Sequence, residues 1–204
     1  MEDPVTNNGG GEELIRHIVI FGTGHVGAGF ALCCALKGVV VALISKSSTE
    51  LAEARNWVTD TLDKGVEMGS FKQAEVYQIA SRLCFALGME HVSRADLIVD
   101  CLSEGISSKT ELFAEIRELA KPTAIGSSHT SLSSIRELGN AFGAPERFLG
   151  LHLFMPVPVN KLIEVVSTPE TSRETIEAVM DLCMKIGKRS EEHTSALQSR
   201  QSIS

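Results

Sequence analysis

The chain has 204 residues and a formal net charge of −7, from 19 basic and 26 acidic side chains, which argues against an electrostatic footprint for nucleic acid. Hydrophobic residues make up 43% and charged residues 22%, a globular balance that excludes a disordered or fibrous chain. No apolar run approaches the roughly 20 residues of a membrane helix, so no membrane partner is expected.

The five cysteines (Cys33, Cys34, Cys84, Cys101, Cys183) form neither a C-x-x-C pair nor a zinc-spaced set, so no metal is expected. All lie in apolar stretches, where a free thiol behaves as a small hydrophobe, and a reducing compartment follows. Residues 1–13 are acidic and Gly/Asn-rich, with neither an apolar signal core nor an Arg-rich transit pattern. They are expected to be a flexible leader, with the cytoplasm as the default address.

In chain order, residues 15–21 form a short apolar run ending in glycines, the pattern of a buried strand. Residues 26–37 have helical length and composition and stop at Gly38. Residues 39–44 are a second β-branched run, as a central parallel strand requires. Ser47 and Glu50 have capping-box spacing and open a helix to about residue 64. Residues 71–83 carry another helical pattern. Further strands are predicted over 96–102, 123–127, 148–154 and 162–166, and helices over 108–119 and 172–186. This alternation predicts an α/β chain of Rossmann-type, doubly wound architecture: a mainly parallel sheet with helices on both faces. Residues 189–204 contain five serines and show no strand or core-helix periodicity.

The first strand leads into Gly22-Thr23-Gly24-His25-Val26-Gly27, a G-x-G-x-x-G turn that opens the first helix. Gly22 permits the tight turn, Gly24 lets a pyrophosphate approach the backbone, and Gly27 lets helix pack on strand. The helix N-terminus, with His25 and Val26, offers N–H groups and partial positive charge to phosphates. The alternative is a Gly-rich turn needed only for packing; strand, spacing and helix together favour dinucleotide binding. An acidic residue normally follows about 20 positions on, at the end of the second strand, to hold the ribose hydroxyls. Here that strand end reads Ser45-Lys46. Ser45 could bond a hydroxyl or a phosphate, and Lys46 could pair with a 2′-phosphate or be a solvated loop residue. The cofactor is therefore expected to be NAD, with NADP left open.

Several blocks in order over residues 16–188 resemble the NAD-binding domain of the 3-hydroxyacyl-CoA dehydrogenase family. They are the glycine turn; Ala95 to Asp100, followed by Glu104 and Lys109; Ser128-His129-Thr130-Ser131, similar to an S-N-T-S segment; and 145–159, continuing through 161–166 to 168–172. The last block resembles the family's catalytic segment. The resemblance implies that His152 takes the proton of a substrate 3-hydroxyl and that Glu164, twelve positions later, orients it. Chemistry explains the pair: hydride loss from an alcohol carbon needs a base on oxygen, and imidazole titrates nearest neutrality. A carboxylate on the other ring nitrogen fixes the tautomer.

By the same resemblance Ser131 bonds the substrate hydroxyl, Lys109 lies on the substrate side of the cleft, and Glu104 lies beside the nicotinamide ribose. The bland alternatives are a turn residue for Ser131 and an exposed helix-start residue for Lys109. Two positions depart from the pattern: Met155 stands before the proline where asparagine is usual, and His129 replaces the S-N-T-S asparagine. A thioether does little of an amide's hydrogen bonding. The implied reaction is NAD(P)-dependent interconversion of an L-3-hydroxyacyl-CoA and its 3-ketoacyl-CoA, in fatty acid metabolism. The alternatives are a dehydrogenase of a small hydroxy or sugar acid, or a dinucleotide-binding paralogue without catalysis.

Family members carry a second, helical domain that makes most of the dimer contact. The pattern here stops at Lys188, and 189–204 resemble the translation of a sequencing adapter. The expectation is a domain over 14–188 with a non-native tail. A homodimer is expected only with the helical domain present, and feeble turnover without it.

Overall fold

The computed structural model describes residues 15–103, 105–129 and 135–194. Eight strands form one sheet: β1 (His17–Phe21), β2 (Val40–Ile44), β3 (Leu83–Ala86), β4 (Leu97–Asp100), β5 (Ile125–Ser128), β6 (Phe148–Leu153), β7 (Leu162–Ser167) and β8 (Arg189–Thr194). Six helices connect them: α1 (His25–Leu36), α2 (Ser48–Glu67), α3 (Gln73–Ala80), α4 (Ile106–Leu119), α5 (Ile135–Phe142) and α6 (Arg173–Lys185). The spatial order is β3-β2-β1-β4-β5-β6-β7-β8. Strands β1 to β6 run parallel, β7 is antiparallel to β6, and β8 runs parallel to β7. The doubly wound, mainly parallel sheet is the one the alternation predicts.

Strand side chains divide between two cores by their period of two. From β1, Ile18 and Ile20 enter the core shared with α1, α2, α3 and α6. Val19 and Phe21 enter the opposite core, built with α4 and α5. Covering both faces lets the central strands be almost continuously apolar. Helix α1 (HVGAGFALCCAL) buries nine residues, because it lies between the sheet and its neighbours rather than on the surface. On the other face Phe113, Phe142 and Phe148 pack with ring centroids 4.9–6.1 Å apart, in geometries favoured by the aromatic quadrupole.

Three elements differ from the sequence expectation. The helical pattern over 71–83 ends at Ala80, and Leu83–Ala86 form an edge strand; no glycine or proline separates the two apolar runs. Helix α5 has apolar residues at 135, 138 and 142, and its eight residues lie between predicted strands where no helix is predicted. Beyond residue 188, where no strand is predicted, Arg189–Thr194 form β8 and pair along the whole length of β7. A backbone ladder on an outer edge needs no apolar alternation, which is why R-S-E-E-H-T shows none. The remaining residues of the expected leader and tail lie outside the described residues.

At the edge opposite the cleft, the Asp96 carboxylate accepts the N–H groups of Arg16 and His17, each at 2.8 Å, and pairs with Lys121. Partial burial opposes ionisation, but the Lys121 ammonium and the two N–H donors outweigh it, so the carboxyl sits below its ordinary value of 3.8. A depressed acid stabilises the fold above its unfolded pKa and loses that contribution as pH falls through the folded value. Asp96→Asn is therefore expected to cost about 1.5–3 kcal/mol at pH 7. The deficit should shrink as pH falls below 3.8. Urea unfolding of both proteins from pH 7 to pH 3 checks this; equal stability at pH 7 would contradict it.

Candidate active site

Strand order reverses around β1, whose neighbours β2 and β4 lead in opposite directions along the sheet. A doubly wound sheet opens a crevice at the carboxyl ends of the strands at such a point. A cleft of about 800 Å³ lies there, lined by Gly22, Thr23, Gly24, His25 and Val26 with Glu50, Glu53, Trp57, Cys101, Leu102, Ser103 and Met155 among others.

The glycine turn has the geometry a bound phosphate would need. Gly22 has φ +103°, and a Cβ there would lie 2.9 Å from the Cys101 carbonyl. A Cβ on Gly27 would come within 2.0 Å of the Gly22 carbonyl oxygen, whereas one on Gly24 would meet nothing within 4 Å. Helix α1 starts on Gly24 with no side-chain cap and no acidic residue in its first turn. Its first N–H groups and dipole are therefore directed at the cleft. Backbone, open space and dipole all fit a dinucleotide pyrophosphate.

At the end of β2, Ser45 Oγ donates to Glu50 Oε2 at 2.6 Å and accepts the Ser47 N–H at 3.0 Å. The Ser47–Glu50 capping box is half formed, with the Glu50 N–H donating to Ser47 Oγ at 3.3 Å while the carboxylate turns to Ser45. Lys46 is exposed and is not among the described residues lining the cleft. The sequence signal for Glu50 was that capping pattern, which explained the residue without giving it a ligand.

His152 and Glu164 are directly opposite each other in the antiparallel β6–β7 pair, with His152 Nδ1 2.9 Å from Glu164 Oε2. An ionised carboxylate only accepts, so Nδ1 carries the proton and Nε2 keeps its lone pair. His152 is about half exposed. Met155, three residues on, lines the dinucleotide cleft, so the pair and the turn belong to one edge of the sheet. His129 Nδ1 sits 3.1 Å from the Leu151 carbonyl oxygen and 3.2 Å from the Leu153 nitrogen, the two backbone groups that flank His152. Past the last residue of β5, its ring occupies the place a continuing parallel strand would take. One Nδ1 serves one of these groups at a time: protonated it donates to Leu151, unprotonated it accepts from Leu153. Burial pushes His129 below its ordinary 6.5, so the ring is neutral at neutral pH.

Lys109 is neither exposed nor open to the cleft. At 3% exposure its ammonium donates to Asp100 Oδ2 at 2.5 Å and to the Leu102 carbonyl at 2.7 Å. Asp100 is fully buried and also accepts Ser128 Oγ at 2.6 Å and the Leu102 N–H at 2.9 Å. In the structure Lys109 is a buried brace for the loop after β4. Sequence reading noted Asp100 but gave it no role; an acid ending an apolar strand nine positions before a lysine was the available signal. Glu104 and Ser131 lie outside the described residues. No group of three or more potential metal ligands occurs among the described residues.

Fold and site together define a doubly wound dinucleotide-binding domain of the dehydrogenase type. The family model for the 3-hydroxyacyl-CoA dehydrogenase NAD-binding domain matches residues 17–191, and the chain belongs to that family. It is 33% identical over 182 residues to the mitochondrial hydroxyacyl-coenzyme A dehydrogenase of Mus musculus, covering 86% of this chain and 58% of that protein. It is 30% identical to a probable 3-hydroxybutyryl-CoA dehydrogenase of Bacillus subtilis, covering 85% and 61%. Among solved structures, 3-hydroxybutyryl-CoA dehydrogenase from Escherichia coli matches with TM-score 0.85 and 31% identity, over 89% of this chain and 38% of that one. The chain thus spans about three-fifths of the length of the curated relatives named here. The domain is an NAD-binding one by family, and no described helix is long and apolar enough to cross a membrane.

Three substitutions test the site. Gly24→Ala, facing open space, should leave stability nearly unchanged and weaken NADH binding by roughly tenfold or more. Gly27→Ala, colliding with backbone, should destabilise the fold by at least about 1–3 kcal/mol; thermal melts and NADH titration separate the two. Lys109→Ala leaves the Asp100 charge buried and unpaired, and should cost about 3–5 kcal/mol. A loss under 1 kcal/mol in urea unfolding, on the order of an exposed ion pair, would contradict the bracing role.

Proposed function

We propose that this chain is the cofactor-binding and acid–base part of an NAD(H)-dependent oxidoreductase that interconverts L-3-hydroxyacyl-CoA and 3-ketoacyl-CoA, within fatty acid metabolism. The observation that carries the reading is the in-register His152–Glu164 pair at 2.9 Å. It lies on the same sheet edge as a glycine turn shaped for pyrophosphate. The names of the mouse and Bacillus relatives support the acyl-CoA substrate class.

Gly22, Gly24 and the first turn of α1 hold the pyrophosphate, and bound NAD supplies the hydride acceptor. His152 Nε2 takes the proton of the 3-hydroxyl as the C–H bond breaks, and returns it to the carbonyl oxygen in the reverse direction. Glu164 keeps the Nδ1–H tautomer and stabilises the imidazolium as it forms. His129, bonded to the backbone on one side of His152 or the other, holds that part of the strand in place. Acyl-chain cover, water exclusion and homodimer contact are assigned to the helical part that the family resemblance implies. A reducing compartment suits the five free cysteines, of which Cys33, Cys34 and Cys183 are buried; we place the protein in the cytoplasm, whereas the mouse relative is mitochondrial by name.

The test is NADH oxidation with acetoacetyl-CoA, in a chimera that joins this domain to the C-terminal part of the Bacillus subtilis relative. His152→Gln should lower kcat/KM by roughly 10²–10⁴-fold and leave NADH affinity within about twofold. Unchanged kcat/KM would overturn the assignment. Turnover of short hydroxy acids in preference to the acyl-CoA would overturn the substrate class.

A further inference from the structure

Glu50 carries an inference that rests on the dinucleotide reading and deepens it. We propose that Glu50, held by Ser45, replaces the strand-end carboxylate as acceptor for the adenosine-ribose hydroxyls. It thereby selects a dinucleotide without a 2′-phosphate, NAD(H), over NADP(H).

Three observations support this. The first is the commitment of Ser45. Only 8% exposed, it spends its single proton on Glu50 and accepts the Ser47 N–H, so its hydroxyl acts as a clamp rather than a ligand. The second is the capacity of the clamped carboxylate. Glu50 lines the same cleft as Gly22, Thr23 and Gly24. A carboxylate offers about four acceptor positions, of which the Ser45 proton occupies one. A vicinal diol needs two acceptors, and an ionised carboxylate supplies them without rearrangement.

The third is charge. The described residues lining the cleft include the carboxylates of Glu50 and Glu53 and neither lysine nor arginine. The other side chain there with a titratable base is His25, which stands at the phosphate turn beside Trp57. A 2′-phosphate bears between one and two negative charges near neutrality, so it would meet two carboxylates rather than a cation. Lys46, the cation that the strand end offers, is exposed and is not among the described lining residues. Glu50 also lies in the first turn of α2, where the helix dipole favours an anion.

The experiment is titration of the full chain and its variants with NADH and with NADPH, followed by dinucleotide fluorescence. The unaltered chain should bind NADH at least about tenfold more tightly than NADPH. Glu50→Gln, which keeps size and removes charge, should narrow that ratio to roughly threefold or less. Ser45→Ala, which frees the carboxylate, should narrow it in the same direction by a smaller factor. Lys46→Ala should leave the ratio unchanged. NADPH bound as tightly as NADH would overturn the proposal, and so would a ratio indifferent to both Glu50→Gln and Ser45→Ala. Selective weakening of NADPH by Lys46→Ala would overturn it in favour of a 2′-phosphate contact. If the unaltered chain binds neither dinucleotide, the cofactor reading itself fails, a result distinct from a lost preference.

Discussion

The buried Asp100 carboxylate ties the two halves of the site together. At the end of β4 it gathers Lys109 from α4, Ser128 from β5 and the Leu102 N–H of the following loop. Its own carbonyl accepts the His129 N–H at 2.7 Å, and the His129 ring reaches the backbone on both sides of His152. A fully buried carboxylate is tolerated only when paired and hydrogen-bonded, because the desolvation cost otherwise exceeds the Coulombic gain. That requirement makes the cluster rigid. The loop of residues 101–103 forms one wall of the cleft at the glycine turn, so the same carboxylate fixes that wall and, through His129, the strand that bears His152.

Strand polarity supplies the second constraint. A parallel β6–β7 pair would need a crossover of a dozen or more residues and would not place residues twelve apart on facing positions. The antiparallel turn after β6 instead sets His152 opposite Glu164. Lys188 braces the intervening loop, donating to the Val157 carbonyl at 2.5 Å and the Asn160 carbonyl at 2.6 Å. Val157 in turn presses on α1, where a Cβ at Gly29 would lie 3.1 Å from the Val157 Cβ. The segment after His152 is thus anchored to the helix that opens at the glycine turn. The His152–Glu164 pair and that turn share one rigid frame.

What could be read in advance follows from how local each signal is. The G-x-G-x-x-G turn and the apolar runs of β1, β2 and β4 depend on neighbouring residues only, and the fold reproduces them. His152 and Glu164 were legible through a resemblance spanning several blocks; spacing alone would not have paired them. Elements carrying weak periodicity were missed. Strand β3 abuts α3 without a breaker, and β8 is an edge whose ladder needs no apolar pattern. The burial of Lys109 was not legible because its partner comes from tertiary structure: near a helix start a lysine is normally solvated, and only the end of β4 arriving beside it makes burial tolerable.

The ribose end shows how a local rule can fail while its physical requirement is met. The rule places an acid at the tip of the second strand, where backbone geometry delivers it to the ribose. Here the strand tip carries Ser45, and the acid stands five residues later in the first turn of α2. The displacement costs reach, which the 2.6 Å bond from Ser45 restores by drawing the carboxylate back over the strand end. It gains the helix dipole, since an anion in the first turn is favoured by the unpaired N–H groups there. The serine that looked like a vacancy in the pattern is the part that makes the substitution work. A hydroxyl can clamp the incoming carboxylate by donating a proton, whereas a second carboxylate at that position would repel it.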